Sequence, residues 1–192
     1  MTQHIALLRA INITGRTVKM DRLRALFAEM GLANVETFIA SGNVLFDSDD
    51  AAEALETRIE AHLQDALGYQ VATFLRTPAE ITAVAAYQPF AAEELAASFG
   101  LMIAFLKRPP DDAATARLMT YRRASDDFAV HGREVYWLRH TQQSETNFAG
   151  ATLERVLKMP ATVRSVTTVR KWAGISDQKV SRSVLRMLLL PY

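Results

Sequence analysis

The chain predicts an α+β protein built from two tandem ferredoxin-like β-α-β-β-α-β subdomains with antiparallel sheets. Three observations predict it. Short apolar runs at His4 to Arg9 and at Leu101 to Leu106 each lead through a polar loop into a stretch of helical periodicity. After each helix come two short strands around a turn, Ser41-Gly42-Asn43 in the first half and His131-Gly132 in the second. A second helix and a closing strand then complete the same order in both halves. Residue identity between them is negligible, so the repeat is one of architecture. The boundaries expected are 1–76 for the first subdomain, 77–99 for a helical connector, 100–165 for the second subdomain and 166–192 for a C-terminal helical segment.

Each element has a local reason. From Met20 to Met30 the residues Leu23, Leu26, Phe27 and Met30 fall on one helical face, and Gly31 is placed to end the helix. Asn34 to Ala40 and Val44 to Asp47 flank the Ser-Gly-Asn turn as strands. Ser48 or Asp49 is suited to cap a helix from Ala51 to Leu67, with Leu55, Ile59, His62 and Leu63 on one face and Gly68 after its end. Tyr69 to Arg76 closes the unit as a strand. Thr77, Pro78 and Glu80 spell a capping box with proline at the first helical position, and the alanine-rich stretch up to Ser98 reads as a connector. In the second half the expected elements are a helix from Asp112 to Tyr121, strands Asp127 to Val130 and Glu134 to Arg139, a helix from Phe148 to Leu157 and a short strand near Thr162.

Composition bounds the function classes. With 49% hydrophobic and 22% charged residues the chain is an ordinary globular sequence. It contains no cysteine, which excludes disulfides, thiolate metal sites and cysteine nucleophiles. No export signal or membrane-spanning run is legible, so a cytoplasmic location is expected. The net charge of +1 conceals an asymmetry: residues 1–99 hold 7 Lys/Arg against 13 Asp/Glu, whereas residues 100–192 hold 15 against 8. Eight cations lie between Arg155 and Arg186 with Asp177 the single acid among them. Such a run suits a polyanion, a complementary surface of the other half, or solvated helix faces equally.

The topology carries the functional argument. In this fold the loop after the first strand and the turn between the second and third share one edge of the sheet. Arg9 to Lys19 therefore faces Ser41 to Asn43. Arg9 and Lys19 supply positive charge, Asn12 and Thr14 supply side-chain donors, Gly15 permits a sharp turn, and Met20 opens a helix whose first N–H groups point to the same edge. Together these are the parts of an anion site. Ser41, Gly42 and Asn43 add a hydroxyl and an amide, although Gly-Asn is also ordinary turn chemistry. Loop closure explains the same residues without a ligand, with Asn12 satisfying backbone groups and Arg9 paired to an acid such as Asp21. In the second half the same reasoning places Ser144 to Asn147 beside Thr162 to Arg164. There Ser144, Thr146 and Asn147 suit helix capping, while Ser144, Thr162 and Arg164 are also the candidates for a second anion-binding edge, from which Arg164 can complete the first site across the interface.

The run Ala6-Leu-Leu-Arg-Ala-Ile-Asn-Ile-Thr-Gly15 with Lys19-Met20, followed by Thr37-Phe-Ile-Ala-Ser-Gly-Asn-Val44, resembles the bacterial domain-of-unknown-function family numbered 1697. Members of that family look like Leu-Leu-Arg-Gly-Ile-Asn-Val-Gly-Gly in the first block and Tyr-Ile-Gln-Ser-Gly-Asn-Val in the second. Thr162-Val-Arg-Ser-Val-Thr-Thr168 is similar to its C-terminal block, Thr-x-Arg-Asn-Trp-Asn-Thr. Ala10 and Thr14 stand where the family has glycines, Ser165 and Thr167 where it has asparagines, and Val166 where it has tryptophan. The resemblance implies two ferredoxin-like subdomains in a cytosolic protein and supplies no reaction.

Known chemistries are not spelled out. Gly-Arg-Thr-Val-Lys lacks P-loop spacing, and Gly-x-Ser-x-Gly is absent. His4, His62, His131 and His140 have no metal-ligand spacing, and Asp47, Asp49 and Asp50 lack the remaining positions of a calcium loop. No metal or cofactor is expected. Tyr136 and Trp137 on a strand read as core and not as base-stacking platforms, because the RNA-recognition block is missing. Ser176 to Leu190 reads as an amphipathic helix that docks on the parent domain or a second subunit. The function expected is therefore the binding of a small anion, carrying phosphate or carboxylate. The alternatives are a nucleic-acid-binding module through the basic C-terminal surface, including Arg170 and Lys171, and a structural or protein-interaction domain.

Overall fold

A computed structural model describes residues 1–9, 11, 17–38, 42–142 and 148–174 of the chain. The first half contains β1 (Thr2–Leu8), α1 (Met20–Glu29), β2 (Ala33–Phe38), β3 (Asn43–Ser48), α2 (Ala52–Leu67) and β4 (Thr73–Arg76). Next come α3 (Pro78–Ala86) and a short helix α4 (Ala92–Ala97) inside the expected connector. The second half contains β5 (Gly100–Phe105), α5 (Asp112–Met119), β6 (Asp126–His131), β7 (Glu134–Arg139), α6 (Gly150–Leu157) and β8 (Thr162–Ser165). Residues 166–174 form a further helix, α7. The sheets are antiparallel with orders β2-β3-β1-β4 and β6-β7-β5-β8, the ferredoxin-like arrangement in both halves.

Alternation along the strands decides the layers. Ile5 and Leu7 of β1 join Leu45, Phe74, Ile103, Phe105, Tyr136 and Leu138 in one core between the two sheets. Ala6 and Leu8, on the opposite parity, pack with Leu23, Phe27, Leu55 and Ile59 beneath α1 and α2. Ala104 and Leu106 pack in the same way with Leu118, Phe148 and Leu153 beneath α5 and α6. The sheets therefore lie face to face, each with its own helical layer outside. Both β4 and β8 are followed by a helix that returns to the shared core: α3 supplies Ile81 and Val84, and α7 supplies Val169, Trp172 and Ala173. Tyr136 and Trp137 are buried, as their strand pattern predicts.

Local signals worked where they were backbone rules. Thr77 Oγ1 accepts from Glu80 N at 3.3 Å while Glu80 Oε2 accepts from Thr77 N at 2.7 Å, the reciprocal pair of the expected capping box. Gly68 closes α2 in the left-handed conformation. Several side-chain caps differ from expectation. The cap of α2 is Ala51 with no side-chain bond, because Ser48 instead accepts from Asp50 N in a local turn. For α6 the cap is Ala149, again without a side-chain bond, and the predicted capping residues Ser144, Thr146 and Asn147 lie outside the described residues. β4 begins at Thr73 and not at Tyr69, and the second hairpin turns at Gly132-Arg133, one residue later than expected. The predicted helix from Ser176 to Leu190 is also outside the described residues.

Candidate functional site

The geometry follows from an internal equivalence that the register defines. Leu7 of β1 lies opposite Asn43 of β3 and Phe74 of β4. Phe105 of β5 lies opposite Glu134 of β7 and Thr162 of β8 in the same way. Two residues further along each closing strand, Arg76 faces Ile5 and Arg164 faces Ile103. Both arginines therefore project from equivalent positions into the space between the sheets.

Their hydrogen bonds repeat the equivalence. Arg76 Nη2 donates to Leu106 O at 2.8 Å, and Arg164 Nη2 donates to Leu8 O at 2.9 Å. Each also donates through Nη1 to the preceding carbonyl, Leu75 O at 2.7 Å and Val163 O at 3.0 Å. Arg164 Nη1 adds a bond to Thr162 Oγ1 at 2.8 Å. Each half thus sends one guanidinium to the carbonyl where the other half's first strand gives way to its loop. Burial pushes the Arg164 guanidinium down to about 10; it stays protonated at neutral pH.

A second reciprocal pair lies beside the first. Arg9 Nη2 bonds Glu154 Oε2 at 2.5 Å, from the first loop to α6 of the other half. Lys107, one residue past Leu106 as Arg9 is one past Leu8, bonds Glu60 Oε1 of α2 at 2.7 Å. Glu154 and Glu60 each also accept a backbone N–H at 2.7 Å, from Ala161 and Thr73 respectively. The expected partner of Arg9, Asp21, pairs instead with Arg24 on its own helix. A local acid was the natural guess, yet Glu154 is 145 residues away in the chain.

The halves part company at their turns. Leu106 N donates to Arg133 O at 2.9 Å and Leu8 N to Gly42 O at 3.0 Å, so Arg133 matches Gly42 and Glu134 matches Asn43. In the second half Glu134 Oε1 receives Arg76 Nε at 2.7 Å, with the two side chains 9% and 1% exposed. Arg133 pairs with Glu80 at 2.5 Å. Burial raises the Glu80 carboxyl, but the Thr77 N–H and Arg133 outweigh it and hold the group below its ordinary value. The corresponding residues at the other turn are Asn43 and Gly42 of the first half and Thr168 of α7, which are all uncharged. Thr168 N donates to Ser165 Oγ at 3.2 Å, the counterpart of the Glu80 and Thr77 cap.

Of the residues expected at the site, Arg9, Gly42, Asn43, Thr162 and Arg164 gather around the end of β1. Gly42 has φ of +74° and lies under Ile11, whose side chain occupies the space a Cβ would need. Loop and turn are therefore packed directly on one another. Asn43 is buried at the start of β3, and Thr162 is buried on β8. Lys19 is exposed at the cap position of α1 without a side-chain cap bond. Asn12, Thr14, Gly15, Ser41 and Ser144 lie outside the described residues. Residues missed by sequence reasoning are Arg76, Glu134, Lys107, Glu60 and Glu154. A charged residue at inward parity on both closing strands was the available signal for the arginine pair.

The basic C-terminal run is divided by the fold. Arg155 and Lys158 are exposed on and just after α6, Arg170 and Lys171 are exposed on α7, and Arg164 points between the sheets. The remaining cations, Lys179, Arg182 and Arg186, are outside the described residues. Among the described residues no group of histidines and carboxylates is arranged to hold a metal, and no helix is long and apolar enough to cross a membrane.

Among solved structures the chain is similar to a conserved bacterial protein, SP0830 from Streptococcus pneumoniae, with 22% identity and a TM-score of 0.74 over 92% of this chain and 99% of that one. That likeness establishes the shared fold. No curated protein matches the sequence. The family model described as "Protein of unknown function (DUF1697)" matches residues 1–136, which include the first loop, the Ser-Gly-Asn turn and the second half as far as Tyr136; the chain belongs to that family.

Proposed function

We propose that the protein binds a small anionic ligand at the loop edge of its first half, using Arg9, Asn12, Lys19, Ser41, Asn43 and Arg164. One observation carries this reading. The positions of Arg76, Arg133, Glu134 and Glu80, which meet at the turn of the second half, hold two cations and two carboxylates. Their counterparts Arg164, Gly42, Asn43 and Thr168 hold one cation and three uncharged residues. The set at the second turn balances itself in charge, the set at the first turn sums to one positive charge, and the chain between Leu8 and Met20 is the longer of the two loops. Arg9 and Arg164 have structural counterparts in Lys107 and Arg76, so their interface contacts alone are no argument for a ligand. What supports one is the difference around them.

The test uses the repeat as its own control. Thermal unfolding of the native chain is followed with simple carboxylates, phosphorylated metabolites and nucleotides, in parallel with Arg9→Ala and Lys107→Ala. Both substitutions remove an ion pair between the halves. A ligand at about 100 times its Kd stabilises by roughly 2.7 kcal/mol, a shift of roughly 5–10 °C in a chain this size. The shift is expected in the native chain and in Lys107→Ala, and lost in Arg9→Ala. Equal loss in both variants, or no shift with any compound, overturns the reading.

A further inference from the structure

The C-terminal ends of α5 and α6 enclose a groove of about 300 Å³ lined by Arg117, Thr120, Tyr121, Arg155, Val156 and Lys158. Arg117 Nε donates to Val156 O at 3.2 Å, which ties the two helix ends together and leaves both Nη atoms of that guanidinium without a partner among the described residues. Arg123 sits at the rim, where it donates through Nη1 to Thr120 O and Arg122 O at 2.7 Å each. Among the described residues none of Arg117, Arg123, Arg155 and Lys158 has an ion pair, and no carboxylate lines the groove. Cations at a helix C-terminus answer its dipole, yet each end amounts to only roughly half a negative charge. Two ends account for about one of the four cations, and about three are left over.

The first half does without this cluster. The last turns of α1 and α2 carry no base, and α1 ends on Glu29, which pairs with Arg22 at 2.8 Å. Helix α2 closes on Gly68 with φ of +78°, and α6 closes in the same left-handed conformation on Lys158 with φ of +55°. That conformation favours glycine, so the first half uses the residue its backbone prefers. The second half keeps a long cation at the same kind of position against that preference. Closing the helix does not call for the lysine.

We propose that the groove between the ends of α5 and α6 binds a phosphate-bearing small molecule, with Arg117, Arg155 and Lys158 holding its terminal phosphate or diphosphate group. Charge selects the class. A surplus of about three positive charges suits the several charges that a phosphate monoester or diphosphate gathers on one group, whereas a single carboxylate leaves most of it uncompensated. Guanidinium groups with unused Nη atoms offer the paired donors that phosphate oxygens accept. A nucleic-acid strand distributes its charge along its length and calls for a stripe of cations. Here the cations are gathered at one groove, while Arg170 and Lys171 stand on α7, the helix that packs into the core between the sheets.

Pyrophosphate is the probe. It is titrated into the full-length chain and into Lys158→Gly, Arg117→Gln combined with Arg155→Gln, Arg170→Ala combined with Lys171→Ala, and Arg9→Ala, with amide chemical shifts giving site and affinity and thermal unfolding giving stability. The shifts are expected to centre on Thr120, Tyr121 and residues 155–159. Affinity is expected to fall about tenfold in Lys158→Gly and further in the Arg117 and Arg155 pair, and to stay within about twofold in the other two variants. Lys158→Gly is expected to unfold no sooner than the native chain, because glycine suits the left-handed position, so its loss of affinity is not a loss of structure.

Equal weakening by the Arg170 and Lys171 pair marks general charge attraction and overturns the groove. A response lost in Arg9→Ala alone belongs to the loop edge of the first half; it overturns this site and leaves that reading standing. A single-stranded oligonucleotide that displaces pyrophosphate, binds more tightly and weakens steeply with salt overturns the small-molecule ligand in favour of a strand. Absence of any pyrophosphate response at residues 117–121 and 155–158 overturns the proposal outright.

Discussion

The two halves solve one packing problem with different electrostatics. Each sets an arginine from its closing strand against the end of the other half's first strand, and each sends a cation from its own first loop to a glutamate on the other half's second helix. At the turn of the second half the arrangement is completed by Glu134, Arg133 and, from α3, Glu80, and the loop of that half passes from Phe105 through Lys107 to Pro110 into α5 at Asp112. In the first half the turn is uncharged and the loop runs from Leu8 to Met20. Features that recur are required by the interface between the sheets. Those that do not recur are where a function can reside.

The strongest test of this contrast is to break the two arginines separately. Arg76→Ala leaves Glu134 charged, buried and without its ion-pair partner, so a loss of about 3–5 kcal/mol is expected. Arg164→Ala removes charged hydrogen bonds to carbonyls without stranding an acid at the equivalent position, and about 1.5–3 kcal/mol is expected. Urea unfolding measures both. Equal losses would mean that the surroundings of Arg164 and Arg76 are electrostatically alike, and the contrast would fail.

The turns offer the next comparison. Both Gly42 and Gly132 have positive φ, +74° and +57°. At Gly132 an added Cβ meets no backbone and comes no closer than 3.7 Å to Glu134 Oε2, so Gly132→Ala carries mainly the backbone penalty of about 1–2 kcal/mol. At Gly42 the added atom collides with Ile11, and overpacking adds about 1–3 kcal/mol. Gly42→Ala is thus the more damaging, and Gly42→Ala combined with Ile11→Ala should recover part of the difference in a double-mutant cycle. Additive effects would show that loop and turn are not packed as described.

Legibility in the sequence followed the range of the interaction. Periodicity 3.6 located α1 through Leu23, Leu26 and Phe27, and the Thr77-Pro78-x-Glu80 spacing located α3, because these rules act within a few residues. The strand order and the meeting of the first loop with the Ser-Gly-Asn turn followed from topology alone. Arg9 itself was legible and its partner was not, since the choice of Glu154 over Asp21 depends on how two sheets stack. Arg76 was read only as the end of a strand for the same reason: its parity pointed inward, but only the stacking of the two sheets leaves its side chain 1% exposed between them. Caps were misjudged where Ser48 had a closer turn to satisfy.

A smaller effect separates the halves by pH. Glu80 is held below the ordinary carboxylate range, so its charged form favours the folded state. The stability it contributes is present above the unfolded-state value of 4.5 and is lost as pH falls through its lower folded value. Glu80→Gln keeps the capping geometry and removes the charge opposite Arg133. At pH 7 this costs up to about 1 kcal/mol, because the pair is partly exposed, and the variant should lose less stability than the native chain between pH 5 and pH 3. Thr168→Ala, at the counterpart position, should leave the acid limb unchanged. An identical acid limb in Glu80→Gln and the native chain would remove Glu80 from the contrast.

The smallest difference lies on the second helices, where Glu56 and Gly150 each stand four residues before the glutamate that bridges the halves. Glu56 is buried and accepts Leu75 N at 2.9 Å; burial raises its carboxyl, opposed by that N–H and by Lys107. Its place in α6 is taken by Gly150, where an added Cβ would sit 3.7 Å from Val163 Cγ2, an ordinary contact. Gly150→Ala is therefore expected to stabilise by about 0.4–1 kcal/mol, by narrowing the unfolded ensemble without strain in the folded one. Glu56→Gln is expected to move stability the other way in its pH dependence. With its folded value raised, the native carboxyl favours folding below the unfolded value and loses that advantage as pH rises through the folded one, so the variant should gain on the native chain above that range. If Gly150→Ala destabilises instead, the start of α6 is more crowded than its backbone shows, and the equivalence of the two helices ends one turn earlier than the register of their strands implies.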